Sequence, residues 1–482
     1  MIREAPAILL PMMAASPMAP RPKMATVATV ATVGRAYDVA FNAGGTIDTD
    51  TTFSNTGTVT LGDAAGDVLT FSGGLDTSGG PSGTTTGGTV RTAGQQIDLG
   101  AVTLSATTLI DSSNNGANAT GSVINIASVT GGGFDLELRS RNGATTVSGA
   151  ATGIGTLTLH DDNGDSTGTM DFQGNLEAVS LTTYVQAYGV SFTGATVDVT
   201  NDLTFLNTGT LTLGNDAGDT LTFTGGVDTT AGPSTVTVAG TVATTGTAMD
   251  IGAFAVSADA TLRAGAATAN LGAATLADGV TLSLGDGSAT VFNAAGIDNT
   301  TTANSSSLTI NTSGAVTVGG AVGVTQALLT VTVTQSGGVQ FQSTVEAANV
   351  ELTDTADGST VAFQGDLTVG TGMTVSNGGA DNYNVTISGA VNSVGGATSF
   401  TNGGTVSLGD GAADRLTFTG GLDTSAGPSV TNTFGTVVTT DTAMDLGAVT
   451  LNGATTLSAG SGAISTGIVS DGANSYTLTL FE

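Results

Sequence analysis

The densest set of oxygen ligands in the sequence is Asp161-Asp162-Asn163-Gly164-Asp165. Asp161, Asn163 and Asp165 stand at alternate positions, the spacing with which a calcium loop opens, and calcium takes carboxylate and amide oxygens. The later positions depart from a helix-flanked calcium loop. The sixth is Ser166 where the sharp turn needs Gly, and the twelfth is Phe172 where the loop supplies Glu. Calcium at Asp161, Asn163 and Asp165 is therefore one expectation, and an Asx-rich turn without a metal is the other. No further cofactor is expected.

Catalysis finds few materials. There is no Cys, so no thiol nucleophile, and a Ser–His–Asp site would have to use the single His160, which directly follows a strand-like run and reads as a corner residue. Asp135, Glu137, Arg139 and Arg141 in FDLELRSR would share one strand face by alternation, which reads as a solvated salt-bridged face. Three acids recur at repeat positions: Asp67/Asp219/Asp414, Asp76/Asp228/Asp423 and Asp98/Asp250/Asp445. Equivalent copies lie far apart along the chain, so turn and corner roles are expected of them. The glycine-rich turns are not followed by helices, which removes phosphate-binding loops. The expectation is no enzyme and no catalytic residue. The alternative is a polysaccharide lyase or hydrolase using paired carboxylates.

Composition narrows the partners. The 482 residues hold 39 acidic and 9 basic side chains, a net charge of −30, with 73 Gly and no Trp. Nucleic acid is excluded as a partner, because the basic face that neutralises phosphates is absent. No apolar stretch of about 20 residues exists, so no transmembrane helix is expected. Residues 1–35 differ from the rest. They carry Pro6, Pro11, Pro17, Pro20 and Pro22, and four of the nine bases. They read as a disordered or weakly signal-like leader, with prolines interrupting the short apolar run Ala7–Leu10.

The elements that must position these residues are short strands. From Tyr37 on, runs such as Thr58-Val59-Thr60-Leu61 and Leu329-Thr330-Val331-Thr332-Val333 alternate apolar and hydroxyl residues, and Gly, Asn or Asp bounds each run. One stretch is written three times without a gap, at residues 57–113, 209–265 and 404–460. Its copies open GTVTLGDAAGDVLTFSGGLDTSGGPS, GTLTLGNDAGDTLTFTGGVDTTAGPS and GTVSLGDGAADRLTFTGGLDTSAGPS. Fixed-register self-similarity signals a repeat architecture. Strands of three to five residues, 4% aromatic content and glycine corners favour a solenoid over sandwiches. The expected fold is all-β: a right-handed parallel β-helix, continuous over residues 36–482, about 20 turns of about 22 residues stacked at about 4.8 Å. Pro81, Pro233 and Pro428 share one repeat position and should lie outside the ladder.

Tracts such as GTVTLG and LTFTGG make residues 37–482 resemble the β-helical stalks of filamentous-haemagglutinin-like adhesins and autotransporter passengers, large repetitive proteins of bacterial surfaces. The resemblance implies a non-catalytic protein, extracellular or on the surface of a bacterium, that acts as stalk, adhesive fibre or matrix component. Its implied partners are glycans or a host or neighbour-cell surface. The chain ends mid-pattern at Thr477-Leu478-Thr479-Leu480-Phe481-Glu482 and reads as part of a longer chain or fibre. A calcium-stabilised solenoid is a further alternative. So is an ice- or crystal-binding one, although the Thr-x-Thr pairs that would make such a surface recur at irregular chain spacing.

Overall fold

A computed structural model describes residues 26–160, 166–378 and 381–481. Among them the regular elements are strands, 47 in all, and there is no helix. The strands stack in parallel as a β-solenoid of about 20 turns. One turn of the first repeat shows the construction. Thr58–Leu61, Val68–Phe71 and Leu75–Asp76 form three sides. The next turn lays Thr84 on Val59, Val90 on Leu69 and Ile97 on Leu75. Alternation sends Val59 and Leu61 inward, where both are fully buried, and leaves Thr58 and Thr60 outside.

Because each turn repeats the direction of the last, like residues meet inside. Leu176, Val197, Leu221, Val242, Leu262 and Leu284 lie in register on six consecutive turns. Fully burying one such side chain contributes about 1.5–3 kcal/mol. The sequence repeat returns as a repeated packing unit. Phe53 meets Phe71 edge-on, with centroids 6.4 Å apart, and the equivalent pairs Phe205/Phe223 and Phe400/Phe418 lie at 6.3 and 6.5 Å.

The corners explain the repeated polar residues. Gly62, Gly214 and Gly409 turn the chain at φ of 75°, 79° and 81°, and a Cβ there would meet a carbonyl oxygen of the next turn within 2.4 Å. Only glycine suits that geometry. The carboxylates of Asp67, Asp219 and Asp414 then close the loop by accepting backbone N–H bonds from residues three and four positions earlier. At another corner the buried Asn55, Asn207 and Asn402 each donate through Nδ2 to two carbonyls. One belongs to Tyr37, Tyr188 or Tyr383 on the preceding turn, and the other lies three residues ahead. Pro81, Pro233 and Pro428 fall outside the strands, just ahead of those beginning at Gly83, Thr235 and Val430.

The first described contacts of the rod begin at Val27 rather than at residue 36. Val27 bridges to Ile47, its N–H donates to Thr46 O, and Ser54 N–H donates to Thr32 Oγ1. Thus residues 26–35, assigned to the leader from their sequence, already lie on the first turn. Their Ala/Thr/Val alternation is short, and the prolines that mark the leader end at Pro22.

The three copies fill the core differently. Copies one and three place hydroxyls inside: Thr84 bonds Thr77, and Thr433 faces Thr455 at 3.2 Å. The second copy has Val238 and Ala260 where the third has Thr433 and Thr455. Thr455 also reaches the carbonyls of Thr433 and Gly453, whereas Thr433 Oγ1 has only Thr455. Thr455→Ala should therefore strand the Thr433 hydroxyl and cost about 1–3 kcal/mol. Adding Thr433→Val, which recreates the pair of the second copy, should recover most of that loss. Urea midpoints of the single and double variants read the difference, and equal midpoints would show that the hydroxyl pair carries no such penalty.

Candidate functional site

The expected calcium ligands Asp161, Asn163 and Asp165 lie outside the described residues. The residue just before them is placed. His160 ends the strand Ala151–Leu159, its N–H donating to Leu138 O, and takes a left-handed φ of 61°. It is a corner residue, as its sequence position implies, but it is not a surface one. The ring is 1% exposed and packs edge-on against Tyr188 with centroids 4.5 Å apart. Among the described residues neither ring nitrogen meets a hydrogen-bond partner. Burial, aided by the nearby charges of Arg141 and Arg139, pushes the imidazole down to about 3. The Tyr188 hydroxyl donates to Leu159 O and accepts from Tyr184 N–H, and burial lifts its phenol above the usual range.

Beside this corner runs the FDLELRSR segment. The strand covers Leu136–Arg139, so Glu137 and Arg139 share its outer face. Asp135 and Arg141 do not join them. Asp135 precedes the strand and accepts the backbone N–H of Thr156 on the next turn, while Arg141 sits in a left-handed turn at φ 53°. Of the expected four-residue face, Glu137 and Arg139 form an ion pair, with Arg139 Nη2 2.6 Å from Glu137 Oε1. In register below Arg139 stands the fully buried Asp111, with Arg91 one turn further on. The Asp111 carboxylate accepts from Ser113 N–H, Ser113 Oγ and Asn115 N–H. A shallow groove of about 310 Å³ opens on this side, lined by Thr89, Thr108, Asp135, Glu137, Thr156 and Thr158. Both of its carboxylates are engaged, one as a strand cap and one in an ion pair.

The recurrent acids have structural partners, and one of their juxtapositions is invisible in the chain. Asp76, Asp228 and Asp423 close Asx turns, each accepting the N–H and hydroxyl of the residue two positions on. Within each copy the second acid is in register with the first, Asp98 on Asp76, Asp250 on Asp228 and Asp445 on Asp423. Amide donors accompany these stacked acids in the first two copies. Gln96 and Asn125 donate to Asp98, while Asn270 donates to Asp250 and receives a bond from Asn293. Elsewhere Asp278 is held down to about 2 by bonds from the hydroxyls of Thr302 and Thr301 on a neighbouring turn. Among the described residues no group of three or more His, Cys, Asp or Glu is arranged to hold a metal ion.

No protein-family model matches this chain, and no curated protein or solved structure matches it.

The buried imidazole makes stability depend on pH in one direction. Its folded pKa is below the unfolded value of about 6.5, so above that pH His160 is neutral in both states and costs nothing. Between pH 6.5 and about 3 only the unfolded chain takes the proton, and stability falls by about 1.4 kcal/mol per pH unit. His160→Asn keeps a residue that tolerates the left-handed turn and should remove that share of the slope between pH 6.5 and 5. Urea unfolding of both proteins at the two pH values measures it. Equal slopes, or an imidazole NMR titration near 6.5, would contradict the burial.

Proposed function

We propose that this chain is a non-catalytic, repetitive protein of a bacterial surface or extracellular matrix, serving as stalk or adhesive fibre. The observation that carries the reading is the continuity of the rod. One parallel ladder and one buried core run from the Val27 bridge to the strand Leu478–Phe481, with no helix and no second architecture among the described residues. Such a body supplies length and stiffness. A backbone tied to the turns above and below resists bending, and an acidic exterior opposes non-specific association. The side chains that could do chemistry support the same reading: the His160 ring is buried, Glu137 is ion-paired, and Asp67, Asp76 and their equivalents close turns. The texture of the strands, shared with large repetitive adhesins, points the exposed faces toward glycans and cell surfaces.

Incubating the purified chain with a panel of soluble and insoluble polysaccharides and with intact cells tests this. Retention on one of these surfaces without new sugar ends is the expected result. Release of reducing ends or unsaturated products that survives purification to homogeneity would replace the stalk by a polysaccharide-active enzyme.

A further inference from the structure

The groove of about 310 Å³ beside the FDLELRSR segment runs along the rod across four turns. Its floor passes through Thr89, Leu109, Glu137 and Thr158, each in register with the next. Leu109 is the apolar member of this outward row and is half-buried. The equivalent residues of the second and third copies are Thr261 and Thr456. The first copy thus departs from its repeats at the floor of the groove. Among the described residues, the hydroxyls of Thr89, Thr107, Thr156 and Thr158 that line it meet no hydrogen-bond partner.

An exposed ring stands next to it in the chain. Gly131, Gly132 and Gly133 turn the backbone, the last two at φ of 60° and 83°, and Phe134 N–H closes the turn on Gly131 O. This sets Phe134 immediately before Asp135, which lines the groove. The ring lies against Gly132, where a Cβ would come 3.7 Å from its Cδ2, and it remains 38% exposed. Among the described residues the other exposed rings, Tyr37, Tyr476 and Phe481, lie far from it along the chain.

We propose that this groove binds a short segment of a neutral glycan, with sugar C–H faces on Phe134 and Leu109 and sugar hydroxyls on the threonines and Asp135. The inference deepens the adhesive reading above and rests on it. Asp135 engages Oδ1 with Thr156 N–H, and its Oδ2 is left to accept from a ligand hydroxyl. The same carboxylate, in a chain of net charge −30, repels a uronate or a sulfated sugar, which selects a neutral one. The ladder disfavours a peptide. An added strand needs an open sheet edge, and the strands Gly83–Thr92, Ile97–Asp111 and Leu136–Arg139 under the groove are each paired on both sides. The volume is at the small end of ligand clefts, ~300–1,000 Å³. One rod therefore grips weakly, and many rods on one surface gain by acting together.

Calorimetric titration of the full chain with neutral hexose tri- to hexasaccharides, and with uronate oligosaccharides of the same lengths, tests the proposal. Binding of at least one neutral series, with weaker or no binding of its uronate counterpart, is the expected result. Phe134→Ala should lower that affinity about tenfold, and Phe134→Tyr should keep it. Leu109→Thr, which installs the residue of the other two copies, should lower it about fivefold. Gln340→Ala, in the separate groove over Gly337 and Gly338, should change nothing. Melting curves confirm that each variant folds, and Leu109→Thr carries the test if Phe134→Ala does not. Three results would overturn the proposal: no neutral series binds, uronates bind more tightly, or a folded Phe134→Ala or Leu109→Thr chain binds undiminished. The adhesive reading is scored apart from these, by whether the unaltered chain is retained on cells or insoluble polysaccharide at all.

Discussion

The hydrogen-bonded ladder between successive parallel turns is the constraint on which the rest of this molecule depends. Most of the strands are two to five residues long, too short to stand alone. Here each finds its backbone partners on the turns above and below, and in return every side chain is fixed to a row that runs along the rod. The inner rows therefore need residues that stack on copies of themselves, which Val, Leu, Ile and Phe do. The corners need residues that reverse the chain and return its polar backbone groups to a partner. The glycine at Gly62 and its equivalents, the aspartate loop closures and the tyrosine–asparagine corners meet that second need.

The same ladder decides what becomes of the acidic charge. Stacking in register would place like carboxylates together, as at Asp76 and Asp98, an arrangement that costs energy unless donors intervene. Donors do intervene: Ser78 bonds Asp76, while Gln96 and Asn125 bond Asp98. Carboxylates such as Asp76 and Asp98 are in this way absorbed into turns and ladders. The few cations follow the same logic, with Arg139 on Glu137 and Arg263 on Asp286 at 3.1 Å.

Much of the architecture is legible in the residues, because strand alternation, glycine corners and a gapless triple repeat are local signals. What depends on register is not. Thr220, Thr241 and Thr261 share one row although the intervals between successive members of that row vary from 20 to 26 residues. A linear reading sees only irregular spacing, since corner loops of different length absorb the differences. Tyr188 and Asn207 bond across 19 residues, and Asp76 pairs with Asp98 across 22, for the same reason. His160 directly follows a strand, which marks a corner, but nothing in its neighbourhood announces that Tyr188 of a later turn covers it. The Asp135–Arg141 face failed because the strand is only four residues long, Leu136 to Arg139, and its flanks turn away.

The central claim is that one ladder continues through all the turns, and small-angle scattering on the monomer at low salt addresses it most directly. About 20 turns at ~4.8 Å give a thin particle with a maximum dimension near 95–100 Å. A compact particle with a radius of gyration near 23 Å and a maximum dimension of roughly 60–70 Å would contradict the continuous rod.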